Sequence, residues 1–130
     1  PDMSPMLFSK AIMEGRPIQV FNHGDMQRDF TYVDDVVEGT IRVLDRPSRY
    51  AVYNIGNHQP VSLLDYIAEL ERALGKKATV EMKPMQPGDV KATYADTHAL
   101  QQAVGFVPST QLKDGLARFA AWFRNYYGFA

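Results

Sequence analysis

Residues 27–45 read QRDFTYVDDVVEGTIRVLD, and this stretch decides the fold class. Residues 28–32 form a short segment that reads as extended. From Val33 onward the apolar residues recur every three or four positions, which is the spacing of one face of a helix. Two aspartates follow at once, in the first turn, where the helix dipole stabilises negative charge. An extended segment that leads directly into an amphipathic helix is typical of an α/β fold.

Strands and helices are predicted to alternate along the rest of the 130 residues. The predicted helices begin at or near Ser4, Val33, Ser62, Thr97 and Thr110. At each of these starts except Val33, a side chain that can cap a helix stands at or just before the first residue. The predicted strands span residues 18–21, 51–55 and 78–82. The order helix, strand, helix, strand, helix, strand, helix, helix favours a small mixed α/β domain.

Composition argues against several classes of protein. With no cysteine, the chain has neither a disulfide framework nor a thiolate metal site. A formal net charge of -1 argues against a nucleic-acid binder, which normally carries a basic excess. No apolar run approaches the roughly 20 residues that span a bilayer, and no secretory signal is visible. The 45% of hydrophobic residues suffice for a packed core, so we expect a soluble cytoplasmic domain.

The sequence lacks the common catalytic patterns. None of its nine glycines falls in a dinucleotide-binding pattern, and no Tyr is followed four positions later by Lys. His23, His58 and His98 lie far apart, without the spacing of metal ligands. We therefore predict no catalytic residue, no metal site and no cofactor site in this chain. At most, the sequence predicts a binding surface.

Three stretches could each bind part of a ligand. Arg28 stands in an extended segment ahead of a helix, where a guanidinium suits bidentate contact with a phosphate; alternatively, it pairs with Asp29 or Asp25 at the surface. Asp89, in a Pro-Gly-Asp turn, could accept both hydroxyl hydrogens of a ribose or could cap its own turn. Phe21, at the end of a predicted strand, could stack on a flat base or belong to the core.

These stretches, taken together and in this order, resemble the C-terminal part of the extended short-chain dehydrogenase/reductase family, the NAD-dependent nucleotide-sugar epimerases and dehydratases. The residues that carry the resemblance are Gly15-Arg16-Pro17-Ile18, residues 27–35, Tyr53-Asn54-Ile55-Gly56, Pro87-Gly88-Asp89-Val90 and Tyr94-Ala95-Asp96. Within the family the likeness is greatest to the UDP-glucuronate 4-epimerases. That likeness rests on Pro1-Asp2-Met3, on residues 20–24 and on residues 85–89.

The resemblance implies a role for each candidate residue. Arg28 would contact the diphosphate of a UDP-sugar, Asp89 would bind its ribose, and Gln19 and Phe21 would contact its uracil. Gln86 takes the position at which UDP-galactose epimerases carry a second Arg, so neutralisation of the diphosphate would rest on Arg28 and on groups outside this chain. These five residues are the predicted substrate-binding set.

The resemblance also implies a division of the enzyme. Residues 1–130 would be the C-terminal nucleotide-sugar-binding region, and an N-terminal Rossmann domain, absent from this chain, would bind NAD and carry the catalytic Tyr and Lys. The chain alone would be inactive. The full enzyme would epimerise a UDP-sugar, as UDP-glucuronate 4-epimerase does, through a transient 4-keto intermediate. The alternatives are part of an NAD-dependent nucleotide-sugar dehydratase or decarboxylase, or a non-catalytic relic or interaction module.

One helix and one strand would complete the absent Rossmann domain: the helix that begins at Val33 and the strand at residues 52–55. Without that domain, Val36, Val37 and Ile41 should lie exposed to solvent. We therefore expect the isolated chain to self-associate in order to cover them.

Overall fold

The computed structural model describes residues 3–130, in which five α-helices and four short strands form the mixed α/β fold that the sequence predicts. The helices are α1 (Ser4–Glu14), α2 (Val33–Asp45), α3 (Leu63–Leu74), α4 (His98–Val104) and α5 (Leu112–Tyr127). The strands are β1 (Ile18–Val20), β2 (Gln27–Arg28), β3 (Val61–Ser62) and β4 (Val80–Met82). Among residues 3–130, no helix combines the length and the apolar content that crossing a bilayer requires.

The strands form two separate two-stranded sheets. β1 and β4 run parallel, with Ile18 opposite Val80. β2 and β3 run antiparallel, with Gln27 opposite Ser62. On its other side, Gln27 forms an isolated parallel bridge with Ala92. β2 is therefore held between β3 and the chain segment around residue 92, which fixes the surroundings of Arg28.

The core lies where α1, α3 and α5 pack around β1. Apolar side chains of these four elements meet there, and α3 and α5 supply the largest of them. The fully or almost fully buried members are Ala11, Ile12, Ile18, Val20, Tyr66, Ile67, Leu70, Leu74, Leu116, Ala120 and Phe123. Packing against these helices holds β1 in place and fixes the position of the residues at its end.

Two strand predictions need correction. Residues 51–55 form no strand, and Val52 is 75% exposed. A strand needs a neighbouring backbone to accept and donate its hydrogen bonds, and the described part of the chain offers none along this segment. β1 ends at Val20, because Asn22 and His23 take positive φ angles of 49° and 51° and turn the chain away. Of the two elements predicted to complete a Rossmann domain, only the helix forms.

Helix starts follow the prediction in part. Ser62 caps α3, and its hydroxyl accepts a backbone N–H from the first turn at 3.1 Å. The N-cap positions of α1 and α5 belong to Met3 and Gln111, one residue away from the predicted Ser4 and Thr110, and neither makes a side-chain cap. The extended backbone of Met3 and Gln111 sets both boundaries.

α2 exposes the apolar face that the sequence predicts. Val36, Val37 and Ile41 are 36%, 49% and 47% exposed, and Val33 and Leu44 extend the same face. Glu38 and Arg42 form an ion pair on the adjoining polar side. Within residues 3–130 these three side chains keep a third to a half of their surface open to solvent, so the face can contact another surface.

We expect the 130-residue chain to self-associate through this face of α2. The double variant Val37→Lys/Ile41→Lys places two charges on the face and should shift the chain towards monomer, because burying an unpaired charge is costly. Light scattering over a series of protein concentrations measures the change. Glu38→Gln, on the adjoining polar side, is the control and should leave association as it is. A wild-type chain that stays monomeric at high concentration contradicts the expectation.

Candidate functional site

A cavity of about 230 Å³ brings together four of the five predicted binding residues. Gln19 comes from β1, Phe21 from the turn behind it, Arg28 from β2 and Asp89 from the loop after β4. The rest of the lining is mainly apolar and consists of Ser4, Leu7, Phe8, Met26, Phe30 and Leu63. The cavity thus offers a guanidinium, a carboxylate, an amide and a hydroxyl against a mainly apolar wall.

The loop after β4 reaches the cavity through hydrogen bonds to β2. The backbone N–H of Gln27 donates to the carbonyl of Lys91 at 2.8 Å, and the N–H of Thr93 donates to the carbonyl of Gln27 at 3.2 Å. A turn then directs residue 89 back towards β2: Gly88 has a φ of 82°, and the N–H of Asp89 donates to the carbonyl of Gln86. These contacts place Asp89 beside Arg28.

Arg28 and Asp89 form an ion pair, with 2.9 Å between Nη2 and Oδ1. The other terminal nitrogen of the guanidinium, Nη1, donates to the carbonyl of Gln27 at 2.8 Å and, at 3.4 Å, to that of Lys91. The Oδ1 atom of Asp89 also accepts the N–H of Val90 at 2.9 Å. Both side chains are about three-quarters buried or slightly less, at 26% and 30% exposed. Each therefore retains some access to the cavity.

The alternative partners of Arg28 are wrong. Asp25 pairs with Lys91, at 2.7 Å between Oδ2 and Nζ, and Asp29 accepts backbone amides instead. Asp89 does accept the N–H that follows it, so its turn-capping and its ion pair coexist. Phe21 is only partly buried and lines the cavity, so it lies outside the buried core.

Gln86 stands apart from the other four candidates. Its side chain is exposed and does not line the cavity, although its carbonyl accepts the N–H of Asp89 at 3.2 Å. Its backbone thus helps to shape the turn that presents Asp89. Contact between the Gln86 side chain and a substrate stays a prediction.

Asp29 organises the loops behind the site, a role that the sequence reasoning missed. Its Oδ1 accepts the N–H of Asn57 at 3.1 Å, and its Oδ2 accepts those of His58 and Ala95 at 3.0 and 2.9 Å. A Cβ atom on Gly56 would lie 2.4 Å from the Ala95 Cβ, so the close approach of these loops needs glycine there. Because every partner is a distant backbone amide, no residue spacing in the sequence could have indicated this role.

Phe30 forms part of the cavity lining, and a neighbouring aromatic ring holds it in place. Its ring stacks on that of Tyr66, with centroids 4.2 Å apart and planes 10° from parallel. Burial raises the pKa of the Tyr66 phenol well above its ordinary value. Tyr66 therefore stays protonated near neutral pH and is unsuited to accept a proton from a substrate.

Among residues 3–130, no group of three or more His, Asp or Glu side chains is placed to hold a metal ion.

Comparison with known proteins relates this chain to one family. The model of the NAD dependent epimerase/dehydratase family matches residues 3–56, which carry α1, β1, β2 and α2. An uncharacterized 37.6 kDa protein of Escherichia coli O111:H- is 47% identical over 98% of this chain. A probable UDP-glucuronate 4-epimerase of Rhizobium meliloti is 38% identical over 98%. Residues 3–56 thus carry part of an epimerase family domain, and a relative named as a probable UDP-glucuronate 4-epimerase aligns along almost the whole chain.

A solved structure of the family shares the fold. The UDP-glucuronic acid 4-epimerase from Bacillus cereus, in complex with UDP-glucuronic acid and NAD, matches 98% of this chain with a TM-score of 0.89 and 34% identity. The chain spans 43% of the length of the two curated relatives and 41% of that solved chain. The family match at residues 3–56 includes Arg28, whereas Asp89 lies beyond it and joins the cavity only through the fold.

We expect Asp29→Asn to lower the free energy of unfolding by about 2 kcal/mol. Asparagine keeps one acceptor oxygen, but an NH₂ group replaces the other oxygen. This group cannot accept hydrogen bonds from the backbone N–H groups that the lost oxygen bound. Urea denaturation of the two chains measures the difference. Asp25→Asn is the matched control: it breaks an exposed ion pair with Lys91, whose contribution to stability is small. Equal losses in the two variants would argue against the organising role of Asp29.

Proposed function

We propose that this chain is the UDP-sugar-binding region of a longer NAD-dependent epimerase, and that UDP-glucuronate 4-epimerase is the activity that fits best. The meeting of Gln19, Phe21, Arg28 and Asp89 in one cavity carries the proposal. A guanidinium suits a diphosphate, a carboxylate suits the two hydroxyls of a ribose, and an aromatic face suits a pyrimidine. Relatives named as UDP-glucuronate 4-epimerases support the choice of substrate.

Each group acts as an anchor in this proposal. Arg28 binds the diphosphate, and Asp89 binds the ribose through the carboxylate oxygen that its ion pair leaves free. Gln19 and Phe21 bind the uracil, and Gln86 approaches the diphosphate from the edge of the turn. Binding energy is then concentrated on the nucleotide, remote from the sugar carbon that reacts, so the sugar is left free to turn between two orientations.

The redox half of the reaction belongs, in this proposal, to an N-terminal Rossmann domain in the same polypeptide. The sequence of this chain has no glycine pattern for a dinucleotide, so its own residues do not suit NAD. When bound to that domain, NAD would accept the C4 hydride of the sugar and return it, while the catalytic tyrosine of that domain would take the proton of the 4-hydroxyl. The chain described here binds the UDP moiety while the 4-keto sugar rotates. The apolar face of α2 packs against that domain.

A dehydratase or decarboxylase acting on another nucleotide sugar would need the same anchors. The cavity recognises the nucleotide, and the reaction is decided by groups outside the described residues. A non-catalytic relic or interaction module differs in a measurable way, since it has no reason to bind UDP. Titration with UDP therefore separates the enzyme readings from the non-enzymatic one.

We expect Arg28→Ala, in the full-length protein that contains this chain, to weaken UDP binding by roughly 1.5–3 kcal/mol, the range for a charge-assisted contact. Isothermal titration calorimetry measures the affinity. Arg42→Ala is the control, because Arg42 pairs with Glu38 on α2, away from the cavity. Affinities for UDP that are the same in wild type and Arg28→Ala would remove Arg28 from the anchor role.

A further inference from the structure

The ion pair between Arg28 and Asp89 engages only part of each group. A guanidinium carries five N–H donors. Nη1 donates to the carbonyls of Gln27 and Lys91, and Nη2 donates to Asp89 Oδ1. Among the contacts within residues 3–130, none involves Nε of Arg28 or Oδ2 of Asp89. Donors on the arginine and an acceptor oxygen on the aspartate are thus left over for a ligand in the cavity that both line.

We propose that Asp89 is a positioning residue for Arg28: it fixes the guanidinium so that the remaining donors meet the diphosphate of the nucleotide. This inference rests on the proposed function and adds to the ribose contact assigned there. Asp89 would then contribute to both contacts: one carboxylate oxygen would bind the ribose, and the other would hold the arginine that binds the diphosphate.

The rigidity of Asp89 supports this role. Its Oδ1 accepts the N–H of Val90 at 2.9 Å, and its own N–H donates to the carbonyl of Gln86 at 3.2 Å. Gly88, at a φ of 82°, allows the turn that makes both contacts. A carboxylate held in this way can hold an arginine in turn, so less side-chain freedom is lost when a ligand binds.

Stability alone does not account for the pair. Its side chains are 26% and 30% exposed, and in an ion pair that is mostly buried the cost of removing two charges from water offsets much of their attraction. The Asp89 charge has an opposite effect if it repels the diphosphate and competes with it for Arg28. Positioning, ribose binding alone and competition predict different results in one experiment.

The experiment compares UDP with 2′,3′-dideoxyuridine diphosphate, which lacks both ribose hydroxyls. In the full-length protein, Asp89→Asn should weaken binding of the dideoxy compound by about 10-fold, a coupling of ordinary size for residues in contact. No ribose hydroxyl is present to explain such a loss. In an Arg28→Ala background, the same Asp89→Asn change should alter this affinity by less than about 2-fold, because its effect acts through Arg28.

Two further variants separate positioning from general damage. Asp25→Asn removes a nearby carboxylate that pairs with Lys91 and should leave the affinity unchanged. Gly88→Ala keeps the Asp89 carboxylate but strains the turn, since a Cβ there meets no atom within 4 Å and only the positive φ opposes it. Gly88→Ala should weaken binding of the dideoxy compound when Arg28 is present and have little effect when it is absent. This variant replaces Asp89→Asn in the experiment if Asp89→Asn fails to fold.

Three results would overturn the inference. Unchanged affinity of Asp89→Asn for the dideoxy compound would restrict Asp89 to the ribose, and an equal loss of affinity with and without Arg28 would show that Asp89 does not act through Arg28. Tighter binding by Asp89→Asn would show competition for Arg28. A wild-type protein that binds neither nucleotide refutes the proposed function instead, so the two failures are distinguishable.

Discussion

The site depends on the hydrogen bonds that join Gln27 to the segment around residue 92. They close a long loop and bring Asp89 to Arg28, 61 positions away in the chain. Closing such a loop has an entropic cost that grows slowly with its length, and it is offset here by backbone bonds on both sides of one residue. Because β3 holds the other side of β2, the arginine rests on a strand that is fixed at both edges.

Aspartates that accept backbone N–H groups recur around this frame. Asp29 collects three amides from two loops, Asp35 accepts the amides of Ser109 and Thr110 ahead of α5, and Asp89 accepts that of Val90. Backbone donors that no helix or sheet satisfies need an acceptor when they are part-buried, and a carboxylate offers two oxygens. The loops that contain these amides are ordered in this way without regular strands.

The apolar core and the apolar face of α2 differ in kind. The core between α1, α3 and α5 is closed within the described residues, whereas the outer face of α2 is open. A helix of this pattern gains its stability largely from packing, so an open face indicates a contact made with another body. The cavity and the open face lie on different elements, so binding of a nucleotide and contact with another body do not compete for the same residues.

Features that depend on neighbours along the chain could be predicted from the amino-acid order. The apolar periodicity gave the positions of the helices, the capping box at Ser62 marked the start of α3, and the short motifs indicated the family. Three other features became visible only in the folded chain: residues 51–55 form no strand, Arg28 pairs with Asp89, and Asp29 accepts distant backbone amides. The physical reason is range: a helix satisfies its own backbone within four residues, but a strand, an ion pair or a loop carboxylate needs partners that the chain supplies from far away.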